Sequence, residues 1–429
     1  MIVETDALLD SRLDGDLHAK PIPPESRPIV PGVWRAVAAD PAESDSLLAG
    51  LDHWLRRSAL PIWWELGADH HGWGFHENLD ARGRAAEPAR RARVQARQAY
   101  VFARAGRLGW EGPWAPAVAR ALDALEVVFK RPDGLYRRLA DTDGAPLDQT
   151  ALLYDQAFVL LALSEAARVS PHASRHIARA EALRERLESF RWEAGGFRET
   201  AGHPFQANCH MHLFEACQAW LTVDGVDPAP WRRLAQEIAD LATARFFDAE
   251  HGVLHEAFDS RWAVLEGKAG GWVEPGHQFE WAWLLSQWRR TEGGVDPALI
   301  RRLYDAGRAG FDPRSGCIVN RTTETFRVID GDSRLWPQAE WLRAAVTMWR
   351  AEPDARYAAD AALAESSIQR YLHTPLKGLW CDVLTREGLF RNQPAPASAL
   401  YHLIGFLRPD AATAVRPSDS ARAIASRAA

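Results

Sequence analysis

Three histidines in the chain stand where a proton could be moved: His212 in NCHMHLFEA, His277 in EPGHQFEWAWLL and His402 in SALYHLIGF. Each lies in an otherwise apolar run. Imidazole titrates near neutrality, so it can take or give a proton at working pH. With Arg97, Asp155 and Glu340 these histidines form a series of polar residues embedded in apolar stretches. The order Arg97, Asp155, His212, His277, Glu340, His402 has spacings of 58, 57, 65, 63 and 62 residues. A lone histidine in an apolar helix is more often a hydrogen-bonded core residue than a catalyst, and Arg97 could simply pair with a neighbouring acid. Asp155 and Glu340 could equally be helix-to-helix hydrogen-bond partners. Three histidines in one register weigh towards chemistry.

The register belongs to a repeat. A glycine followed by an apolar residue recurs in GWGFHE, DGLYRR, GGFRET, HGVLHE, SGCIVN and KGLWCD. The glycines are Gly74, Gly134, Gly196, Gly252, Gly316 and Gly378, spaced by 60, 62, 56, 64 and 62 residues. Between these turns some segments have helical apolar spacing, as in Val118, Leu122, Leu125 and Phe129; others, such as ALLYDQAFVLLAL, are apolar nearly all round. Each unit therefore holds one amphipathic and one buried helix. Six such units are enough to close a ring lined by the buried helices, which predicts an all-α, single (α/α)6 barrel over residues 46–408. An open solenoid is the competing arrangement. The proline-rich residues 1–45 read as an extended arm, and 409–429 as a flexible tail. In a closed barrel the starts of the inner helices meet at one mouth, so the six polar residues should face a common cavity.

Local spacing refines the set. Asn208 and His212 are four apart and share a helical face, whereas His210 points elsewhere. His277, Glu280 and Trp281 fall at i, i+3 and i+4, which would let Glu280 orient the His277 ring and raise its pKa. Trp336 and Glu340 are again four apart. Nineteen tryptophans, with Trp73, Trp336 and Trp380 near the expected mouth, offer flat faces to a sugar ring, although most must wedge between helices.

Several classes of function are disfavoured. A net charge of −6 gives no basic excess for nucleic acid. No stretch reaches the about 18 apolar residues of a membrane span, and no targeting segment is evident, so a cytoplasmic location is expected. Cys209, Cys217, Cys317 and Cys381 show no C-x-x-C spacing and read as free thiols. There is no GxGxxG after a strand, P-loop, GxSxG or HExxH, and the His251/His255 and His210/His212 groupings lack further metal ligands. The expected chemistry is acid/base work with no cofactor and no metal.

Proton abstraction beside a sugar carbonyl is such chemistry. One group protonates the ring oxygen to open the ring, a base takes the hydrogen on carbon 2, and donors stabilise the enediolate. Proton return to carbon 1 gives a ketose; return to the opposite face of carbon 2 gives the epimer.

The segments RARVQARQAYVFARAGRLGW, NCHMHLFEA, EPGHQFEWAWLL, RLWPQAEW and SALYHLIGF together resemble the N-acylglucosamine 2-epimerase superfamily over residues 46–408. The resemblance implies an (α/α)6 barrel that interconverts sugars without a required metal. It implies acid/base roles for His277 and His402 and a third active-site histidine at His212. It also implies an arginine near the sugar carbonyl oxygen at Arg97, polar contacts at Asn208, Glu280 and Glu340, and aromatic ones at Trp336 and, most loosely, Trp380. Gln95-Ala96-Arg97 stands where the cellobiose branch has N-A-R, so the chain looks most like the mannose isomerase branch. That implies conversion of mannose to fructose, with His402 taking the carbon 2 proton and His277 assisting ring opening and proton return. Alternatives are a sugar 2-epimerase, a glycoside hydrolase using Glu280 with Glu340 or Asp155, and a non-catalytic scaffold. Oligomeric state and phosphorylation of the sugar stay open at this level, although Arg90, Arg91 and Arg93 could meet a phosphate.

Overall fold

The computed structural model describes residues 43–199, 205–265, 267 and 270–408. The predicted tail and nearly all of the predicted arm lie outside them. The first helix, α1 (Glu43–Trp54), begins three residues inside the stretch read as arm and continues, after a π turn at Leu55–Ala59, into α2 (Leu60–Glu65).

Inner and outer helices then alternate. The inner ones are α3 (Ala92–Arg107), α5 (Leu153–Val169), α7 (Ala207–Trp220), α9 (Pro275–Thr291), α11 (Leu335–Ala351) and α13 (Leu400–Leu403). The outer ones after α1 and α2 are α4 (Trp114–Ala124), α6 (Ala173–Arg186), α8 (Pro228–Leu241), α10 (Pro297–Ala309) and α12 (Ala355–Tyr371). Sequence dictates the division. In α5, apolar nearly all round, 14 of 17 residues are buried, whereas polar α6 buries only His176, Ala180 and Leu183. Outer helices start at strong signals: Asp227, Asp296 and Asp354 each accept a hydrogen bond from the second residue beyond, with proline next to the first two.

The ring closes, which removes the solenoid alternative. Each inner helix packs on the next, and α13 packs against both α11 and α3. Asn78–Leu79 pairs antiparallel with Ala395–Pro396, and Gln98 Nε2 donates to Ala397 O at 2.9 Å. The chain is thus a single (α/α)6 barrel with a few two- and three-residue antiparallel strand pairs. No helix of the described residues is long and apolar enough to cross a membrane. The six units are unequal, since the sixth inner helix is a single turn between 3-10 turns at Ala397–Ala399 and Ile404–Phe406.

A recurrent clamp sets the register of the first five inner helices. All six repeat glycines have positive φ, from 65° at Gly74 to 98° at Gly378, a conformation that L side chains rarely adopt. A residue one or two positions after the glycine is then gripped at both backbone groups, in four of the units by an inner-helix glutamine. Phe75 N–H donates to Gln95 Oε1 (2.7 Å) and Gln95 Nε2 donates to Phe75 O (2.9 Å). Gln156 holds Tyr136, Gln278 holds Leu254 and Gln338 holds Ile318 in the same way. In the remaining case His210 replaces glutamine: its Nδ1–H donates to Gln206 O and its Nε2 accepts from Phe197 N–H at 3.0 Å. His210, the first histidine of NCHMHLFEA, is therefore a structural one. Gln156→Leu should leave the Tyr136 N–H and C=O unpaired and lower stability by about 2–5 kcal/mol in urea unfolding. Gln236→Leu on the exposed face of α8 should change it by less than about 0.5 kcal/mol.

Candidate active site

At the mouth, each of the three histidines is paired with a glutamate through Nδ1. His402 meets Glu340 Oε1 at 2.6 Å, His277 meets Glu256 Oε2 at 2.9 Å, and His212 meets Glu215 Oε2 at 3.3 Å. Such a pairing fixes ring orientation and aims Nε2 away from the carboxylate. The pairs interlock. Glu280 Oε1 lies 3.9 Å from His212 Nδ1, and atoms of Glu280, Glu340 and His402 lie within 4.8 Å of one another, as do those of His212, Glu215 and Glu280. The Trp336 ring stands between the two outer pairs, its centroid 5.1 Å from that of His277 and 5.5 Å from that of His402.

The environments push these imidazoles apart. Burial alone would lower the pKa of His277, but the negative field of Glu256 and Glu274, with Glu280 behind, outweighs it and raises the value to about 10. His277 is an imidazolium at neutral pH. His402 goes the other way: burial, then the charges of Arg97 and Arg343, hold it well below the ordinary histidine value despite the contact with Glu340. Its Nδ1–H donates to the carboxylate, leaving Nε2 with a free lone pair. His212 is held neutral by burial, which lowers it to about 4 against the opposing pull of Glu215. Burial and the nearby Glu340 raise Glu280 well above the usual carboxylate range.

Arg97 is the guanidinium facing this group. Its Nη2 donates to Tyr154 OH at 2.6 Å, and its plane lies 4.1 Å from the Phe158 ring centroid and 5.1 Å from that of Tyr401. Tyr401 OH in turn donates to Glu215 Oε2, the oxygen that also meets His212. An imidazolium, a neutral imidazole and a fixed guanidinium in one largely buried mouth can deliver a proton, remove one and stabilise an enediolate. For a metal, the two ligand sets that share Glu280 are the arrangements of the described residues that offer three donor atoms together.

The structure brings Arg97, His212, His277, Glu280, Glu340, His402 and Trp336 together, with Asn208 one turn before His212 and its Oδ1 buried without a hydrogen-bond partner among the described residues. Three readings change. The carboxylate on His277 is Glu256, from the turn HGVLHE, because the α9 register directs Glu280 toward His212 and Glu340. Asp155 is fully buried beside Arg93 at 3.6 Å, next to Glu199, whose carboxyl accepts from Tyr154 N–H; burial and then Asp155 raise Glu199 to about 8. Asp155 therefore supports the wall that carries Tyr154. Trp380 stacks on Trp63 at 4.9 Å and edges Trp54, so its ring contacts are with α1 and α2. Arg90 pairs with Asp69, Arg91 with Glu77 and Arg93 with Asp155, so the three arginines considered for a phosphate are engaged.

Sequence reasoning missed Glu215, Glu256, Glu274, Tyr154, Tyr401 and Arg343. Two carried a helical signal, since Glu215 follows His212 by three residues and Arg343 follows Glu340 by three. Glu256 carried a repeat signal: GWGFHE, GGFRET and HGVLHE each bear a glutamate just after the turn, and all three reach backbone at an inner-helix start, Glu77 at Arg91 N, Glu199 at Tyr154 N and Glu256 at Glu274 N.

The family model for N-acylglucosamine 2-epimerase matches residues 74–405. The chain belongs to this family. Membership makes it an enzyme of the carbohydrate isomerase and epimerase class. A relative from Rhizobium meliloti (strain 1021), named mannose-6-phosphate isomerase, is 43% identical over 360 residues, covering 82% of this chain and 93% of its own. Among solved structures, a D-mannose isomerase matches at a TM-score of 0.76 and 22% identity, over 85% of this chain and 97% of its own. The cellobiose 2-epimerase from Bacillus thermoamylovorans B4167 matches at 0.76 and 17%, over 84% and 99%. These two likenesses establish the barrel common to this epimerase family member and its neighbours.

For this family member, Glu256→Gln removes the charge that most strongly holds the proton on His277. The alkaline limb of the pH–rate profile, which His277 would set near pH 10, should move to lower pH. Initial rates measured from pH 5 to 11 check this.

Proposed function

We propose that the protein is a cofactor-free aldose–ketose isomerase acting on free D-mannose to give D-fructose. The observation that carries the reading is the pair of oppositely protonated histidines, His277 and His402, facing each other across Trp336. His277 gives its proton to the ring oxygen and takes up the proton of the carbon 1 hydroxyl as the bond between carbon 1 and the ring oxygen breaks, opening the sugar to the aldehyde. His402 Nε2 takes the hydrogen from carbon 2, and Arg97 neutralises the enediolate oxygens. A proton returned to carbon 1, with the hydroxyl proton passing from oxygen 2 to oxygen 1, completes the ketose. His212, through Glu215 and Tyr401, ties the hydroxyl-binding side to the same network.

The name of the Rhizobium meliloti relative favours a 6-phosphorylated substrate. Against it, Arg90, Arg91 and Arg93 are each committed to a carboxylate, and the carboxylates of Glu215 and Glu256 beside His212 and His277 would repel a dianion. The second reading is epimerisation, which needs only that the proton return to the other face of carbon 2; the cellobiose 2-epimerase likeness concerns the barrel alone. A cytoplasmic location goes with this proposal, supported by four free cysteines, three of them buried.

Incubation with mannose, and separately with mannose 6-phosphate, in heavy water followed by NMR tests the proposal. Fructose carrying deuterium at carbon 1 is the expected product, with mannose 6-phosphate unchanged. Glucose labelled at carbon 2, or turnover of the phosphate alone, would replace the reading. His402→Asn should lower kcat by at least about 100-fold, the usual worth of a positioned acid or base.

A further inference from the structure

His402 sits on the weakest of the six inner elements. α13 spans only Leu400–Leu403, whereas the other inner helices run for 14 to 17 residues. A single turn cannot hold its own conformation, since helix nucleation is unfavourable and isolated short helices do not persist. The position of the ring must come from outside the element.

Arg343 supplies it. The residue lies on α11, three after Glu340 and so on the same face. Its Nη2 donates to the backbone carbonyl of His402 at 2.8 Å, and its Nη1 lies 3.3 Å from Glu340 Oε2, the oxygen not used by His402. One planar guanidinium thus grips both members of the His402–Glu340 pair, one through its backbone and the other through its side chain. The Trp283 ring, 4.6 Å from the guanidinium carbon, covers the group, and the Arg343 side chain is only 11% exposed. Gly405 makes room for it: a Cβ there would lie 2.6 Å from Arg343 Nη2. Lysine could reach one partner but not both in a fixed plane.

We infer that Arg343 is the positioning residue of the base, fixing His402 to α11 and holding the Glu340 carboxylate square to its ring. The inference rests on the isomerase reading and extends it to a residue with no direct role in proton transfer. Arg343 also contributes charge. The groups that face His402 are Glu340 and Arg343 from α11, Arg97 from α3, His212 and Glu215 from α7, and Glu280 and His277 from α9, with Tyr401 beside it on its own element. Of the two arginines, Arg343 is the one within reach of the His402 backbone.

The test compares Arg343→Lys, Arg343→Gln and Gly405→Ala in the full chain. All three should lower kcat, by up to about 100-fold, the scale of a 1 Å misplacement, with KM little changed. The acidic limb of the pH–rate profile, set by His402, should move to higher pH in Arg343→Gln, where a cation is lost, and stay in place in Arg343→Lys. Gly405→Ala should reproduce the loss in kcat without removing a charge. Wild-type kcat in Gly405→Ala and Arg343→Lys, or identical pH profiles for the Lys and Gln variants, would overturn the inference. Should Arg343→Gln fail to fold, the other two variants decide. Should the wild type fail to convert mannose, the isomerase reading falls, and NMR titration of the His402 ring in the same variants still decides: an unchanged titration in all three overturns the role of Arg343.

Discussion

The constraint on which the structure depends is the burial of opposite charges at one end of the ring. His212, His277, His402, Glu215, Glu256, Glu280, Glu340 and Arg97 all lie below 9% exposure. Removing ions from water costs several kcal/mol each unless a partner stands at hydrogen-bond distance. The barrel meets that demand by pairing each histidine with a glutamate from a different origin. For His212 the partner is one turn along the same helix, for His277 it comes from the preceding turn, and for His402 from the neighbouring inner helix. Of the three rings His277 alone is held charged, while His212 and His402 are neutral.

That asymmetry turns a repeat into a site. Six units built on one plan would place six equivalent residues at the mouth, and equivalent histidines could not act as acid and base at once. The difference comes from what surrounds them. Glu256 and Glu274 converge on His277, while the charges of Arg97 and Arg343 act on His402. The clamps beneath, four from glutamine and one from His210, hold the helix starts in the common register that lets the unlike partners meet.

Much of this was legible in the sequence. The six glycines could be counted because each sits where φ must be positive, and the in-register polar residues marked the inner helices because few other positions there tolerate charge. The histidine roles followed from a family resemblance to which the structure adds geometry. The pairing of His277 was not legible: helical spacing offers Glu280 as the partner, but the choice between Glu280 and Glu256 depends on the turn that packs over the start of α9. The stacking of Trp380 on Trp63 was not legible either, since an aromatic residue after a repeat glycine looks the same whether it faces the mouth or the outer wall. The brevity of α13 was equally hidden, because a short apolar run between prolines is compatible with a longer helix until the ring closes around it.

The central claim is that His277 and His402 hold opposite charge states over the same pH range. It is tested most directly by heteronuclear NMR of protein labelled with nitrogen-15 at histidine, with signals assigned by single substitutions and followed from pH 5 to 10.5. The account expects His277 to show imidazolium shifts until close to pH 10 and His402 to show a neutral ring, protonated at Nδ1, across the range. Two rings titrating together near the ordinary histidine value would contradict it.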